Sequence, residues 1–225
     1  MSHSESTRTR RGIDEPDARG RTGLDREGFD LTGNPDVVVK AVTLLSSHWY
    51  VLRTTEFEYR HRDGRWSTEH RETYDRGNGA AVLLYDLDAR SVVLVRQFRY
   101  PTYVNGNLDG MLLEVPAGLL DEDGPEEGAR REASEETGLE VGRLEHVFDA
   151  YMSPGSITEM LHFYAGPYRA GSSDGVYAGL ADEGEDTELV ELSFDEAIAQ
   201  IGVQIIDAKT IMLLQWAALR GPFSR

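Results

Sequence analysis

The chain has 225 residues, 40% of them hydrophobic and 28% charged, enough to bury a substantial core as one medium-sized domain or a domain with a small appendage. A formal net charge of -17 argues against a general nucleic-acid binder, which needs a basic face, and the absence of cysteine excludes disulfides, thiolate metal sites and a cysteine nucleophile. No apolar run approaches the roughly 20 residues of a membrane helix and no apolar segment follows the N-terminus, so a cytoplasmic protein without membrane association is expected.

Residues 1–35 are rich in Arg, Asp, Glu, Gly and Ser and lack the apolar positions needed for a core, so a disordered tail is expected there. Residues 36–75 read as a small N-terminal β unit. The runs Val37 to Leu45 and Trp49 to Tyr59 are rich in β-branched and aromatic residues, and Asp63-Gly64 marks a hairpin turn into the next run. Residues 76–225 read as a second domain. Ala80 to Tyr85 and Ser91 to Phe98 are apolar enough for central strands, with Asp86 and Asp88 favouring the turn between them. A loop containing Asn105-Gly106-Asn107 leads to a short strand, Met111 to Val115, that ends at Pro116-Ala117-Gly118. Pro125 then opens a segment dense in helix formers, Glu126 to Thr137, which stops at Gly138. Further strands are expected at His146 to Tyr151, Met160 to Gly166 and Glu188 to Leu192, the last two separated by the glycine-rich stretch Gly171 to Gly184, a long functional loop. Helices at Asp195 to Ile201 and Ala208 to Leu219 close the chain. Strands mixed with helices at irregular spacing predict an α+β or α/β sandwich.

On the predicted helix Glu132, Glu135 and Glu136 project from nearly one face. Such crowding is unfavourable unless a cation offsets it. The pairs Glu126 with Arg130 and Glu127 with Arg131 have the favourable i,i+4 order, but they contribute only about 0.2–0.5 kcal/mol each and leave Glu132 and Glu136 unpaired along the helix. Magnesium suits such oxygens, because it bridges one or two carboxylates to substrate phosphates while keeping several waters. An ordinary solvated Arg/Glu face is the alternative for a helix of this composition.

The order of residues around the helix decides between these readings. The segment Gly118-Leu-Leu-Asp-Glu-Asp-Gly-Pro-Glu-Glu-Gly-Ala-Arg-Arg-Glu-Ala-Ser-Glu-Glu-Thr-Gly-Leu139 resembles the Nudix box, and Arg131 to Leu139 fits every specified position. It is one residue shorter than the general box, and Gly124 replaces a glutamate that is chiefly structural in the family. The runs Tyr74-Asp-Arg-Gly-Asn-Gly-Ala80, Arg96-Gln-Phe-Arg99, Val104-Asn-Gly-Asn107, Tyr151-Met-Ser-Pro-Gly155 and Asp207-Ala-Lys-Thr210 resemble the GDP-mannose pyrophosphatase subgroup, a relative of ADP-ribose pyrophosphatases.

The resemblance implies an α+β fold, the Nudix α/β/α sandwich with a mixed sheet, over residues 76–225, with the unit at 36–75 as a dimerisation element. It implies hydrolysis of GDP-mannose to GMP and mannose 1-phosphate. An ADP-ribose or broad nucleoside-diphosphate-sugar pyrophosphatase is the alternative, and a non-catalytic Nudix sensor is a further one. The cofactor implied is magnesium, with manganese as a substitute, held by Glu132, Glu136, the Ala117 carbonyl and Glu185, with Glu135 joining at a second ion. Glu159 matches the general base. Arg99 matches a substrate-binding arginine, and Lys209 a lysine near the sugar. His70, Arg71 and Glu72 match a run supplied to the substrate by the partner of a homodimer with exchanged N-terminal strands. Trp49 stands where the subgroup packs an aromatic on the base, although an aromatic there fits a core role equally well.

Overall fold

The computed structural model of the chain describes residues 33–48, 50–120, 124–169, 177–178 and 187–224. The tail expected at 1–35, but for residues 33–35, lies outside them, as do Trp49, Glu185 and most of the Gly171 to Gly184 stretch. The described chain divides into two compact units, one of residues 33–77 with Ser153–Glu159, the other of Asn78–Met152 with residues 160–224.

The first unit is an antiparallel three-stranded sheet of β1 (Val37–Ser47), β2 (Val51–Arg60) and β3 (Trp66–Asp75), in that order. The turn expected at Asp63-Gly64 joins β2 to β3, with Gly64 at φ 83°, a backbone region open to glycine at little cost. Alternation along β2 buries Val51, Arg53 and Thr55. A buried arginine needs a counter-charge, and Asp75 supplies it at 3.6 Å while also accepting from Gly77 N and Thr158 Oγ1, both at 3.1 Å. The Ser153–Glu159 segment is tied to the end of β3, because Tyr74 N donates to Ser156 O at 2.8 Å and Thr158 N to Tyr74 O at 3.2 Å.

The second unit is built on a mixed sheet. Its elements in chain order are β4 (Gly79–Asp86), β5 (Ser91–Phe98), α1 (Tyr100–Val104), β6 (Met111–Glu114), β7 (Ala117–Leu119), α2 (Pro125–Thr137), β8 (Glu145–Tyr151), β9 (Met160–Pro167), β10 (Tyr177–Ala178), β11 (Thr187–Ser193), α3 (Phe194–Ala199) and α4 (Ala208–Leu219). The strands run in the order β10-β11-β5-β4-β9-β8, with β6 beside β5 and β7 beside β4. The β4–β9 pairing is parallel and the others antiparallel.

Strand β4 shows why this is a sandwich. It is apolar on both sides, as a central strand must be. Ala81 and Leu83 join the core with Phe194, Leu213, Leu214 and Ala217 of α3 and α4, whereas Ala80, Val82 and Leu84 join Ala129 and Ala133 of α2. Two-residue periodicity thus sends successive side chains into two helical layers on opposite faces. The expected α+β sandwich with a small N-terminal sheet is the observed architecture. Among the described residues, no helix is long and apolar enough to cross a membrane.

The helix that bears the carboxylates begins and ends as its sequence dictates. Gly124 is the N-cap, Pro125 occupies the first turn, where its missing N–H costs no hydrogen bond, and Gly138 closes the helix in the left-handed region at φ 66°. Gly124, at the position where the sequence departs from the general box, has a local task as an N-cap. Helices α3 and α4 are capped by side chains: Ser193 forms a capping box with Glu196, and Asp207 accepts from Thr210 N at 3.0 Å.

Candidate active site

Two of the expected carboxylates converge where α2 meets the start of β7. Glu136 is only 2% exposed. Its Oε2 accepts from Ala117 N at 2.9 Å and its Oε1 faces Gln97 Nε2 at 3.4 Å, so β5 and β7 together orient it. Glu132, one turn earlier, lies directly over Gly118: a Cβ at that position would overlap the Glu132 carboxyl group. The glycine gives the carboxylate room against the backbone. Ala117, Glu132 and Glu136 are thus brought together, while Glu135 is more open to solvent.

The ion pairs along α2 differ in part from the expected pattern. Glu126 and Arg130 pair at 2.9 Å, as their spacing predicts. Arg131 does not pair with Glu127 among the described residues. It reaches Glu132 at 3.0 Å and Glu135 at 3.1 Å, where its charge offsets the crowding of acids that the sequence makes conspicuous. The expectation that Glu132 is unpaired along the helix is corrected accordingly.

Arg99 and Lys209, distant in sequence, meet at a residue that the sequence reading does not single out. Glu114, 3% exposed, receives Arg99 Nε and Nη2 on Oε2, both at 2.8 Å, and Lys209 Nζ on Oε1 at 3.0 Å. Lys209 Nζ is also 3.1 Å from Asp207, so the residue that caps α4 helps to hold the lysine on its first turn. Burial alone raises the Glu114 carboxyl, but the charges of Lys209 and Arg99 outweigh it and hold the group below the ordinary glutamate range. Arg99 is affected in the opposite sense: burial lowers it, and the attraction of Glu114, with smaller contributions from Glu136 and Asp207, raises it above the usual arginine value. The signal that could have revealed Glu114 is a lone acid at the end of the apolar run Met111–Val115.

The remaining expected residues belong to the first unit. His70, Arg71 and Glu72 are exposed on β3, paired in register with Glu56, Thr55 and Thr54 of β2, and Arg71 also reaches Glu69 at 3.1 Å. Glu159 is 8% exposed and pairs with Arg76 at 3.3 Å, so it is a buried, ion-paired carboxylate.

Known proteins share first the fold of this chain. A solved structure described as an ADP compounds hydrolase matches with a TM-score of 0.62 over 83% of this chain and 97% of its own, at 17% sequence identity, which establishes a shared fold. The NUDIX domain family model matches residues 75–214, and the GDP-mannose pyrophosphatase NudK N-terminal domain model matches residues 36–74. The chain belongs to the NUDIX family and is a Nudix hydrolase, a class of enzymes that generally use a divalent metal. It is 52% identical to a GDP-mannose pyrophosphatase of Pectobacterium atrosepticum over 84% of this chain and 97% of the relative. A GDP-mannose pyrophosphatase of Yersinia enterocolitica is also 52% identical, over 79% and 93%.

Proposed function

We propose that the enzyme hydrolyses the diphosphate bridge of a nucleoside diphosphate sugar, with GDP-mannose giving GMP and mannose 1-phosphate. The observation that carries this reading is 52% identity across nearly the whole length of a GDP-mannose pyrophosphatase, extending over the N-terminal unit as well as the Nudix domain. A panel of GDP-mannose, ADP-ribose and other nucleotide sugars, assayed with magnesium and phosphatase-coupled phosphate release, tests it. Highest kcat/KM on GDP-mannose is expected. Preference for ADP-ribose would move the assignment to the alternative substrate, and no turnover of any member would point to a sensor.

The residues fit a hard divalent cation. Glu132 and Glu136 offer oxygen ligands on adjacent turns, one of them almost fully buried, and Gly118 keeps the space beside Glu132 clear. Glu132, Glu136, the Ala117 carbonyl and Glu185 would hold magnesium, with Glu135 available to a second ion. When bound, the ion neutralises diphosphate charge and polarises a phosphoryl group. Glu159 orients the attacking water and takes its proton. Arg99 spends Nε and Nη2 on Glu114, which leaves Nη1 to meet a phosphate oxygen with a charge-assisted hydrogen bond. Lys209 is held rigidly for the sugar side, and Trp49 packs on the base.

A substitution at Gly118 tests the metal site without removing any ligand. A methyl group there collides with the movable end of Glu132 and displaces the carboxylate. Gly118→Ala is expected to fold normally and to raise the magnesium concentration for half-maximal activity at least about tenfold, the scale on which small misplacements at such sites are felt. An unchanged magnesium titration would rule out Glu132 as a ligand.

We also propose a cytoplasmic homodimer with exchanged N-terminal strands, in which His70, Arg71 and Glu72 reach the substrate of the partner subunit. Strand β1 is an edge strand with Val38, Val39 and Leu45 exposed, a surface that a second chain would cover. Sedimentation is expected to show a dimer. A fully active monomer would contradict it.

A further inference from the structure

A second group of ligand-type side chains lies on β8 and β9 and shares no residue with the carboxylates of α2. His146 Nε2 is 2.7 Å and His162 Nδ1 is 2.8 Å from the same Asp149 Oδ1, and one ligand atom from each residue falls within 4.8 Å of the other two. The backbone explains how they meet. Asp149 is directly opposite His162 in the β8–β9 pairing, whereas His146, three residues earlier on the same strand, would point to the other face of a regular strand. An irregularity between His146 and Phe148 inserts an extra residue. Val147 and Phe148 both pack towards the core on the α3–α4 side, Phe148 with its ring 4.6 Å from that of Phe163, and His146 is thereby turned onto the face of Asp149. The Tyr164 ring meets the His146 ring edge-on at 5.4 Å and limits its rotation.

We propose that His146, Asp149 and His162 bind one transition-metal ion of the zinc class, with a fourth position open to water. Two imidazole nitrogens and one carboxylate oxygen form a donor set suited to zinc, cobalt or nickel, whereas magnesium prefers oxygen alone. Ligand atoms about 2.0–2.2 Å from a tetrahedral ion stand roughly 3.4 Å from one another. The two histidine–aspartate separations, 2.7 and 2.8 Å, are shorter than that spacing and the three ligand atoms all lie within 4.8 Å of one another, so modest side-chain movements that open the cluster would admit an ion. His162 is largely covered while His146 is half exposed, giving an ordered ligand and a route from solvent. Because β8 is the edge of the sheet, an ion held between it and β9 clips that edge to its neighbour.

The test is zinc titration of the full chain in saturating magnesium, so that the carboxylates of α2 are already occupied, followed by cobalt absorption spectroscopy. Wild type is expected to take up an additional equivalent of zinc, to show visible cobalt bands of a four-coordinate site, and to melt at a higher temperature with zinc present. His146→Ala, which alters a half-exposed side chain, and His162→Ala should each bind zinc at least tenfold more weakly and lose the cobalt bands. Glu136→Gln should retain both. Magnesium-dependent hydrolysis by His146→Ala should match wild type, which separates this site from the proposed catalytic one. Zinc binding that is absent in wild type, or equally strong in wild type and both histidine variants, overturns the proposal.

Discussion

Replacing Glu136 with glutamine is expected to lower turnover of the nucleotide sugar by about two to four powers of ten, equivalent to about 3–5 kcal/mol of lost transition-state stabilisation. The substitution keeps the shape and removes the charge. Glu136 is buried and already oriented by Ala117 N and Gln97, so the wild-type carboxylate needs little rearrangement before it can ligate a cation. Glutamine retains one oxygen to accept from Ala117 N, and loss of a buried charge offsets part of any lost hydrogen bonding, so the fold should survive. The decisive measurement pairs kcat over a range of magnesium concentrations with a thermal melt. Turnover near wild type in a folded variant would remove Glu136 from the metal site, and the function proposed for α2 with it. A variant that is inactive only because it is unfolded would show up in the melt and would call for Glu136→Asp, which keeps the charge but withdraws the oxygens.

Legibility from sequence followed how local the determinants are. Helix α2 is readable almost to the residue because Pro125 and Gly138 act within their own turns, and α4 matches because Ala, Leu, Met, Lys and Gln dominate it and no glycine or proline interrupts it. The strands flanking Asp86 and Asp88 could be read in the same way. The five-residue helix α1 precedes the loop expected around Asn105-Gly106-Asn107 and is not marked in the sequence: Tyr100 to Val104 contains proline, β-branched and aromatic residues and buries none of them, so no apolar periodicity reveals it. Strand β7 was hidden by its own motif, since Ala117 and Gly118 read as a strand end and become a strand only by pairing with Ala81 and Ala80 of β4. In the site, Glu132 and Glu136 are legible because a helix fixes their spacing. The partners of Arg99 and Lys209 are not, because residues from the junction of β5 and α1, from β6 and from α4 meet only in the folded protein. The bulge that gathers His146, Asp149 and His162 is likewise a property of strand register, invisible in composition.

Glu114→Gln is expected to destabilise the enzyme by about 3 kcal/mol at neutral pH, the lower end of the range for removing one partner from a buried ion pair. Two features keep the loss near that end: Lys209 retains Asp207, and Arg99 is about a third exposed, so water takes over part of its charge. For a chain of this size the melting temperature should fall by about 6–12 °C. The difference between variant and wild type should itself depend on pH. Because the folded protein holds the Glu114 carboxyl below its ordinary range, the stabilisation is complete above the unfolded value near 4.5 and is lost as pH falls through the lower folded value. Glutamine cannot titrate, so the gap in melting temperature should be widest near neutrality and narrow in acid. A gap that stays constant from neutral pH to well below 4.5 would mean that packing at this position, and not the charge between Arg99 and Lys209, supplies the stability. Since the same carboxylate positions both cations, the variant should also show a raised KM for nucleotide sugar. A raised KM with an unchanged pH–stability gap would separate the positioning of Arg99 and Lys209 from their contribution to folding.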